Sequence, residues 1–300
     1  MEAKMNSDCI VRASNVNKNY GTHQALKNVN FTIEPGRIVG LIGPNGAGKT
    51  TLLKGLLGLA PVDGELDVLG FNPAKQRTQL IEHVSFIADT AIMPRWIKVC
   101  QALDYVAGVH PRFNREKAQY FLDKTSIKTK SRISSLSKGM ITQLHLALVM
   151  AIDSRLLVLD EPTLGLDIVY RKQFYNALLS DYFDEQKTIV ITTHQVEEIE
   201  NILTDLMFIN KGELVLDLPM DAIGERFTEL SVNNTQKQAV QQAGLVPINL
   251  QQRLGGVNML FENVPREALA PFGQVRTPTV ADLFVAKVSP AGHNVNGMEV

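Results

Sequence analysis

Eight consecutive residues constrain this chain more than any others. Gly43-Pro44-Asn45-Gly46-Ala47-Gly48-Lys49-Thr50 sets its first and last glycines five positions apart, ahead of a Lys-Thr pair. Such a segment turns a strand sharply into a helix. Glycines let the backbone curl so that successive N–H groups face one point. The helix that follows presents its positive N-terminal end to the same point. This concentration of positive potential suits phosphate oxygens. Lys49 adds a full charge for β- and γ-phosphates, and the Thr50 hydroxyl suits Mg²⁺. The context agrees: Arg37-Ile-Val-Gly-Leu-Ile reads as a buried strand, and Lys49 to Leu59 as a helix.

A second element completes the chemistry. Leu156-Leu157-Val158-Leu159 is an apolar strand that ends in Asp160-Glu161. In open α/β sheets, ligands bind at the carboxyl ends of strands. Asp160 there would hold Mg²⁺ and Glu161 would act as general base on water. A strand ending in acids is common by itself; the phosphate loop gives it meaning.

Periodicity divides the chain. Strand-type runs occupy Ile10 to about Phe86 and return at Leu156, Thr188 and Leu206. Between them, Val99 to Val109, Arg115 to Asp123 and Ser137 to Met150 place apolar residues at helical spacing. The expected fold is therefore α/β: a phosphate-loop NTPase core with a mainly parallel sheet and an inserted helical subdomain over about 89–151. The core is expected to span 1–222. Past Asp221, Gln and Asn increase, and a small α+β extension over 223–300 is expected. Its strands are Glu229-Leu-Ser-Val and Asn258-Met-Leu-Phe, with a helix from Thr235 to Ala243 between them.

Leu136-Ser137-Lys138-Gly139-Met140 lies just ahead of the two-carboxylate strand, which continues Glu161-Pro162-Thr163-Leu164-Gly165-Leu166-Asp167. Thr192-Thr193-His194 ends the next strand. This order of motifs, over roughly Ile10 to Leu218, resembles the ATP-binding cassette (ABC) family. The resemblance implies that ATP and Mg²⁺ are bound and ATP hydrolysed. Gly43, Asn45, Gly46, Ala47, Gly48, Lys49, Thr50 and Thr51 would hold the phosphates, with Lys49 also stabilising charge during reaction. Tyr20 would stack on adenine. Glu161 would be the base, and His194 would hold it and the water in line. Ser137 and Gly139, at a helix start, would bind the γ-phosphate of ATP on an opposite subunit, so that two chains sandwich two nucleotides.

Three positions depart from the family pattern, which usually reads Leu-Ser-Gly-Gly-Gln at the signature. Lys138 replaces a glycine there and Met140 the glutamine. Asp89 stands where the family has a glutamine that ligates Mg²⁺. Asp89 is either a shorter, charged ligand or a plain loop acid.

Composition narrows the partners. Thirty Lys+Arg against 31 Asp+Glu give a net charge of -1, which argues against bulk binding of nucleic acid. Cys9 and Cys100 are far apart and fit free thiols in a reducing compartment. No apolar run reaches bilayer length and the N-terminus lacks a signal-peptide pattern, so a cytoplasmic location is expected, peripheral on the membrane. The family implies a separate membrane permease as partner, with a homodimer or a heterodimer with a related ATPase. Ala91 to Ile97, with Trp96, either receives that permease or pins the helical region to the core. The ending Arg276-Thr-Pro-Thr-Val and the Lys138-Gly139-Met140 signature resemble exporter-type members. A soluble single-cassette scaffold or regulator without a permease is the alternative.

Overall fold

The structure is a computed structural model that describes residues 9–88 and 93–288. Asp89, Ala91 and Ile92 lie outside the described residues. Contacts divide the chain into two compact units, Met1–Leu203 with Ile209–Leu214, and Thr204–Phe208 with Val215–Val300.

The first unit opens with β1 (Val11–Tyr20) and β2 (His23–Ile33), an antiparallel pair closed by the tight turn at Gly21, whose φ is 57°. Next comes β3 (Ile38–Ile42), followed through the glycine loop by α1 (Lys49–Leu56). After it, β4 (Asp63–Val68) returns to the edge of β1, giving a three-stranded sheet in the order β2-β1-β4. A one-turn helix α2 (Arg77–Leu80) leads to β5 (Val84–Ile87).

Three helices then intervene: α3 (Val99–Val109), α4 (Arg115–Asp123) and α5 (Lys138–Met150). They form the helical subdomain, and local chemistry sets their starts. The Asn114 side chain accepts a hydrogen bond from Lys117 N (2.9 Å), and Ser137 Oγ accepts one from Met140 N (3.2 Å). Each satisfies one of the N–H groups a helix start leaves unpaired. Helix α5 is buried along most of its length, as the apolar run Leu146–Met150 and the apolar residues before it require.

The chain re-enters the core at β6 (Leu156–Asp160), passes through α6 (Ile168–Ala177), which widens into a π-helical turn over Leu178–Tyr182, and reaches β7 (Thr188–Thr193). Strands β5, β6, β7 and β3 lie side by side in that order, all parallel. Every residue of β3, β6 and β7 is buried. A parallel sheet covered on both faces needs such continuous apolar strands. Burying each Leu or Val here contributes roughly 1.5–3 kcal/mol. An aspartate at Val158, which is 0% exposed, would break this layer. Because the strands are parallel, their carboxyl ends all emerge on one side, and the chemistry gathers there.

Strands β8 (Asp205–Asn210) and β9 (Glu213–Pro219) neighbour one another, and the boundary between the units cuts through both; the chain after them belongs to the second unit. A one-turn helix α7 (Ile223–Arg226) leads into β10 (Phe227–Val232), followed by α8 (Asn234–Gln242), β11 (Asn249–Arg253) and β12 (Gly256–Glu262). After the short α9 (Arg266–Leu269) come β13 (Gln274–Arg276) and α10 (Val280–Val288). These strands form an antiparallel sheet in the order β11-β12-β10-β13. Helix α8 carries a full capping box: Asn233 Oδ1 accepts from Gln236 N, and Gln236 Oε1 from Asn233 N, both at 2.9 Å. Leu230, Val240, Met259, Phe261 and Leu269 fill the core beneath.

Candidate functional site

The glycine loop leaves β3 and enters α1 without a side-chain cap. Gly48 stands at the N-cap with φ 113°, in a region that side chains rarely adopt. A Cβ there would also meet Ala25 O at 2.7 Å. Only glycine fits, and glycine brings no hydroxyl or carboxylate to occupy the first N–H groups of α1. Those donors remain for an anion. This is the fit a chain of phosphates requires.

Lys49 is 8% exposed, and its Nζ donates to Gly43 O (2.6 Å) and to Pro44 O (3.3 Å). The loop thereby folds back over its own lysine. Burial pulls the Lys49 ammonium below the usual lysine range, while the carboxylates of Glu161 and Asp160 pull it back.

The ends of β6 and β7 supply the acids and their supports. Thr50 Oγ1 donates to Asp160 Oδ2 at 3.0 Å, and Thr192 Oγ1 donates to Asp160 Oδ1 at 2.5 Å. Asp160 is 3% exposed and fixed on both oxygens. A hydroxyl beside a carboxylate is a hard oxygen set, which suits Mg²⁺. Glu161 follows with φ 48°, a left-handed conformation unusual outside glycine. Its N–H donates to Thr192 O and to Thr192 Oγ1, each at 3.2 Å. Its Oε2 lies 2.9 Å from His194 Nδ1. The tight bend after β6 turns the Glu161 carboxylate toward the histidine that ends β7.

Tyr20, Asn45, Gly46, Ala47, Gly48, Lys49, Thr50, Thr51, Asp160 and Glu161 line one cavity of about 300 Å³. Gly43 holds Lys49 from below, and His194 reaches the group through Glu161. Tyr20 is 48% exposed, with Lys18 Nζ 5.0 Å from its ring centre. Ser137 and Gly139 do not line this cavity; Ser137 caps α5, and Gly139 packs near Gly165.

His23, Ala25 and Thr192 were not singled out from sequence. His23 and Ala25 line the cavity, and Thr192 secures Asp160. Thr192 sits in the Thr-Thr-His run and could have been found there. His23 pairs with Tyr20 across the β1–β2 turn, a relation that only strand register reveals. Among the described residues no group of three or more His, Cys, Asp or Glu could hold a metal by itself. The Thr50–Asp160 pair contains a single carboxylate, and phosphate oxygens would supply the remaining ligands.

A family model described as ABC transporter matches residues 26–164. The chain is 34% identical over 222 residues to the Nod factor export ATP-binding protein I of Sinorhizobium fredii, covering 72% of this chain and 64% of that protein. It is 33% identical to the protein of the same name from Cupriavidus metallidurans, covering 69% of this chain and 70% of the relative.

This chain belongs to the ABC transporter family.

It carries the ATP-binding and ATP-hydrolysing unit of that family. It is also 27% identical to the bacitracin transport ATP-binding protein BcrA of Bacillus licheniformis, over 77% of this chain and 78% of that one. Among solved structures, an ATP-binding subunit of an ABC transporter superposes with a TM-score of 0.66 at 20% identity, over 79% of this chain and 94% of the other. The cbiO1 subunit from Clostridium perfringens gives 0.62 at 22% identity, over 80% and 96%. These superpositions establish the ABC ATPase fold. No helix among the described residues is long and apolar enough to cross a membrane.

Proposed function

We propose that this chain powers export through a separate membrane permease, from the cytoplasmic face, by closing with a second cassette over two ATP molecules. The observation that carries this reading is a separation. Lys49, Thr50, Asp160 and Glu161 share one cavity, while the Ser137–Gly139 helix start lies elsewhere on the same chain. Each surface is then half of a composite site that a second copy, or a related ATPase, completes. In this reading 1–222 is the nucleotide-binding domain and 223–300 an accessory region. Export is favoured because two of the relatives named above are export ATP-binding proteins.

In the proposed mechanism, Tyr20 stacks on adenine. The loop from Gly43 to Thr51 and the start of α1 hold the phosphates, with Lys49 at the β- and γ-oxygens. Thr50 and Asp160 would hold Mg²⁺, with Asp89 a further candidate ligand; when bound, the ion neutralises charge on the phosphate oxygens. Glu161 takes a proton from water as the water oxygen bonds to the γ-phosphorus and the bond to the bridging oxygen of ADP breaks. His194 keeps the Glu161 carboxylate in place through the 2.9 Å contact.

Glu161→Gln keeps the shape of the site and removes the base. Light scattering of that variant in excess ATP is expected to show dimers, whereas a persistent monomer would overturn the clamp. Tagged chain recovered from gently solubilised membranes should bring down a polytopic membrane protein; only soluble partners would overturn the permease.

A further inference from the structure

A second cavity, of about 520 Å³, lies on the first unit away from the nucleotide residues. Its apolar wall comes from Phe121 on α4, Ala147 and Met150 on α5, and Leu166 and Phe174 around α6. The volume is in the range that small-molecule sites occupy.

Three features set it apart from a packing gap. Gln143 of α5 lines it, is 9% exposed, and its buried Oε1 has no hydrogen-bond partner. A buried acceptor left unpaired is costly, and a donor from a ligand would relieve that cost. The last side-chain torsion of glutamine is broad, so a turn of the carboxamide can bring Oε1 to face an occupant. Second, the helix at the rim widens into the π turn over Leu178–Tyr182, and Ser180 of that turn lines the cavity. Such turns inside helices often mark functional sites. Third, charge is absent from the wall in a usable form. Lys124 is the one charged side chain among the described lining residues, and its Nζ is taken by Asp181 Oδ2 at 2.8 Å and by the Tyr120 ring at 4.1 Å.

We infer that this cavity binds an uncharged, mainly apolar small molecule carrying a hydrogen-bond donor, with Gln143 as the group that recognises the donor. The apolar wall supplies affinity, and Gln143, the buried amide among the lining residues, supplies orientation, the usual division of labour in such sites. An anion would lack a free cation here, since Lys124 is already paired.

N-phenyl-1-naphthylamine is a suitable probe: uncharged, aromatic, with one N–H, and bright when taken from water. Its fluorescence, titrated against the full chain, is expected to show saturable one-to-one binding. Ala177→Trp, which plugs the rim, should abolish it. Gln143→Leu should weaken it about fivefold to tenfold, the loss of one buried hydrogen bond. The N-methylated probe, which has no donor, should bind the wild-type chain weaker by the same factor and be indifferent to Gln143→Leu. If circular dichroism shows Ala177→Trp misfolded, Ser180→Trp on the π turn serves in its place. Absence of saturable binding, or binding that survives the plug, would overturn the assignment. Equal affinity for both probes would overturn the role of Gln143.

Discussion

The nucleotide cavity and the C-terminal sheet both bury charge, and they use it in opposite ways. Around the glycine loop, the α1 N-terminus has no side-chain cap, and Thr50 and Asp160 line an open cavity. In the C-terminal sheet, Glu229 is 2% exposed, and both its oxygens are claimed. Arg276 Nη2 donates to them at 2.8 and 2.9 Å, Asn258 Nδ2 donates to Oε1, and Arg253 stands 3.7 Å away. One region leaves the first N–H groups of α1 in reserve for a ligand, and the other satisfies its buried carboxylate internally. The first arrangement serves chemistry; the second ties strands β10, β11, β12 and β13 into one sheet.

The largest expected effect tests the reserve directly. Glu161→Gln is expected to lower ATP turnover about a hundredfold to ten-thousandfold, the contribution of a positioned general base. Its melting temperature and ATP affinity should stay near wild type. A variant that unfolds instead would mean that Glu161 serves the fold, and the contrast between the regions would collapse.

Arg276→Ala makes the mirror-image test. It leaves the buried Glu229 carboxylate only Asn258 and the more distant Arg253, and losing a hydrogen bond to a charged group costs about 1.5–3 kcal/mol. Urea unfolding should show that loss while the KM for ATP stays unchanged. A shift in KM with no loss of stability would break the comparison from the other side.

These two behaviours also explain what could be read from the sequence. The phosphate loop is contiguous, and its chemistry requires glycine, lysine and a hydroxyl at fixed spacing, so Gly43 to Thr50 announced themselves. Asp160-Glu161 and His194 each end an apolar strand and were found for the same reason. The three inserted helices were visible because their apolar spacing is regular. The Glu229 cluster was not visible, since Arg253, Asn258 and Arg276 meet it only through strand register. Strands β11 and β13 escaped notice as well: the first is Gln-rich and mostly exposed, and the second has three residues. The short strands at Glu229 and Asn258 and the helix between them were legible, because their faces build the Leu230–Phe261 core.

Alkaline pH separates the two units by composition. All six tyrosines fall between Tyr20 and Tyr182, within the first unit, so the second has none. Burial pushes Tyr175 and Tyr182 up to about 12 each, although Thr163 (3.3 Å) and Ser154 (2.6 Å) meet their hydroxyls. A folded pKa above the unfolded value of about 10 means that stability is whole below pH 10 and is lost as pH rises toward 12. The loss reaches up to about 3 kcal/mol for each residue. Tyrosinate absorbance should therefore lag behind for two of the six tyrosines and then rise together with unfolding of the first unit. Ionisation of all six before any loss of structure would refute the burial effect.

The smallest effect discriminates most finely. The Tyr20 ring is 48% exposed, and Lys18 is its cationic neighbour, so the fold gains little from it. If the ring is held for adenine, removing it costs affinity and leaves stability alone. Stacking between aromatic rings contributes about 0.5–1.5 kcal/mol beyond burial, so Tyr20→Ala should raise the KM for ATP roughly threefold to tenfold. Tyr20→Phe should restore it, because the stack needs a flat ring and no hydroxyl. The melting temperature should move by less than that of Arg276→Ala in either case. A Tyr20→Ala chain with unchanged KM and a lowered melting temperature would show the ring to be part of the β1–β2 hairpin, and the reserve would then be confined to the phosphate end of the cavity.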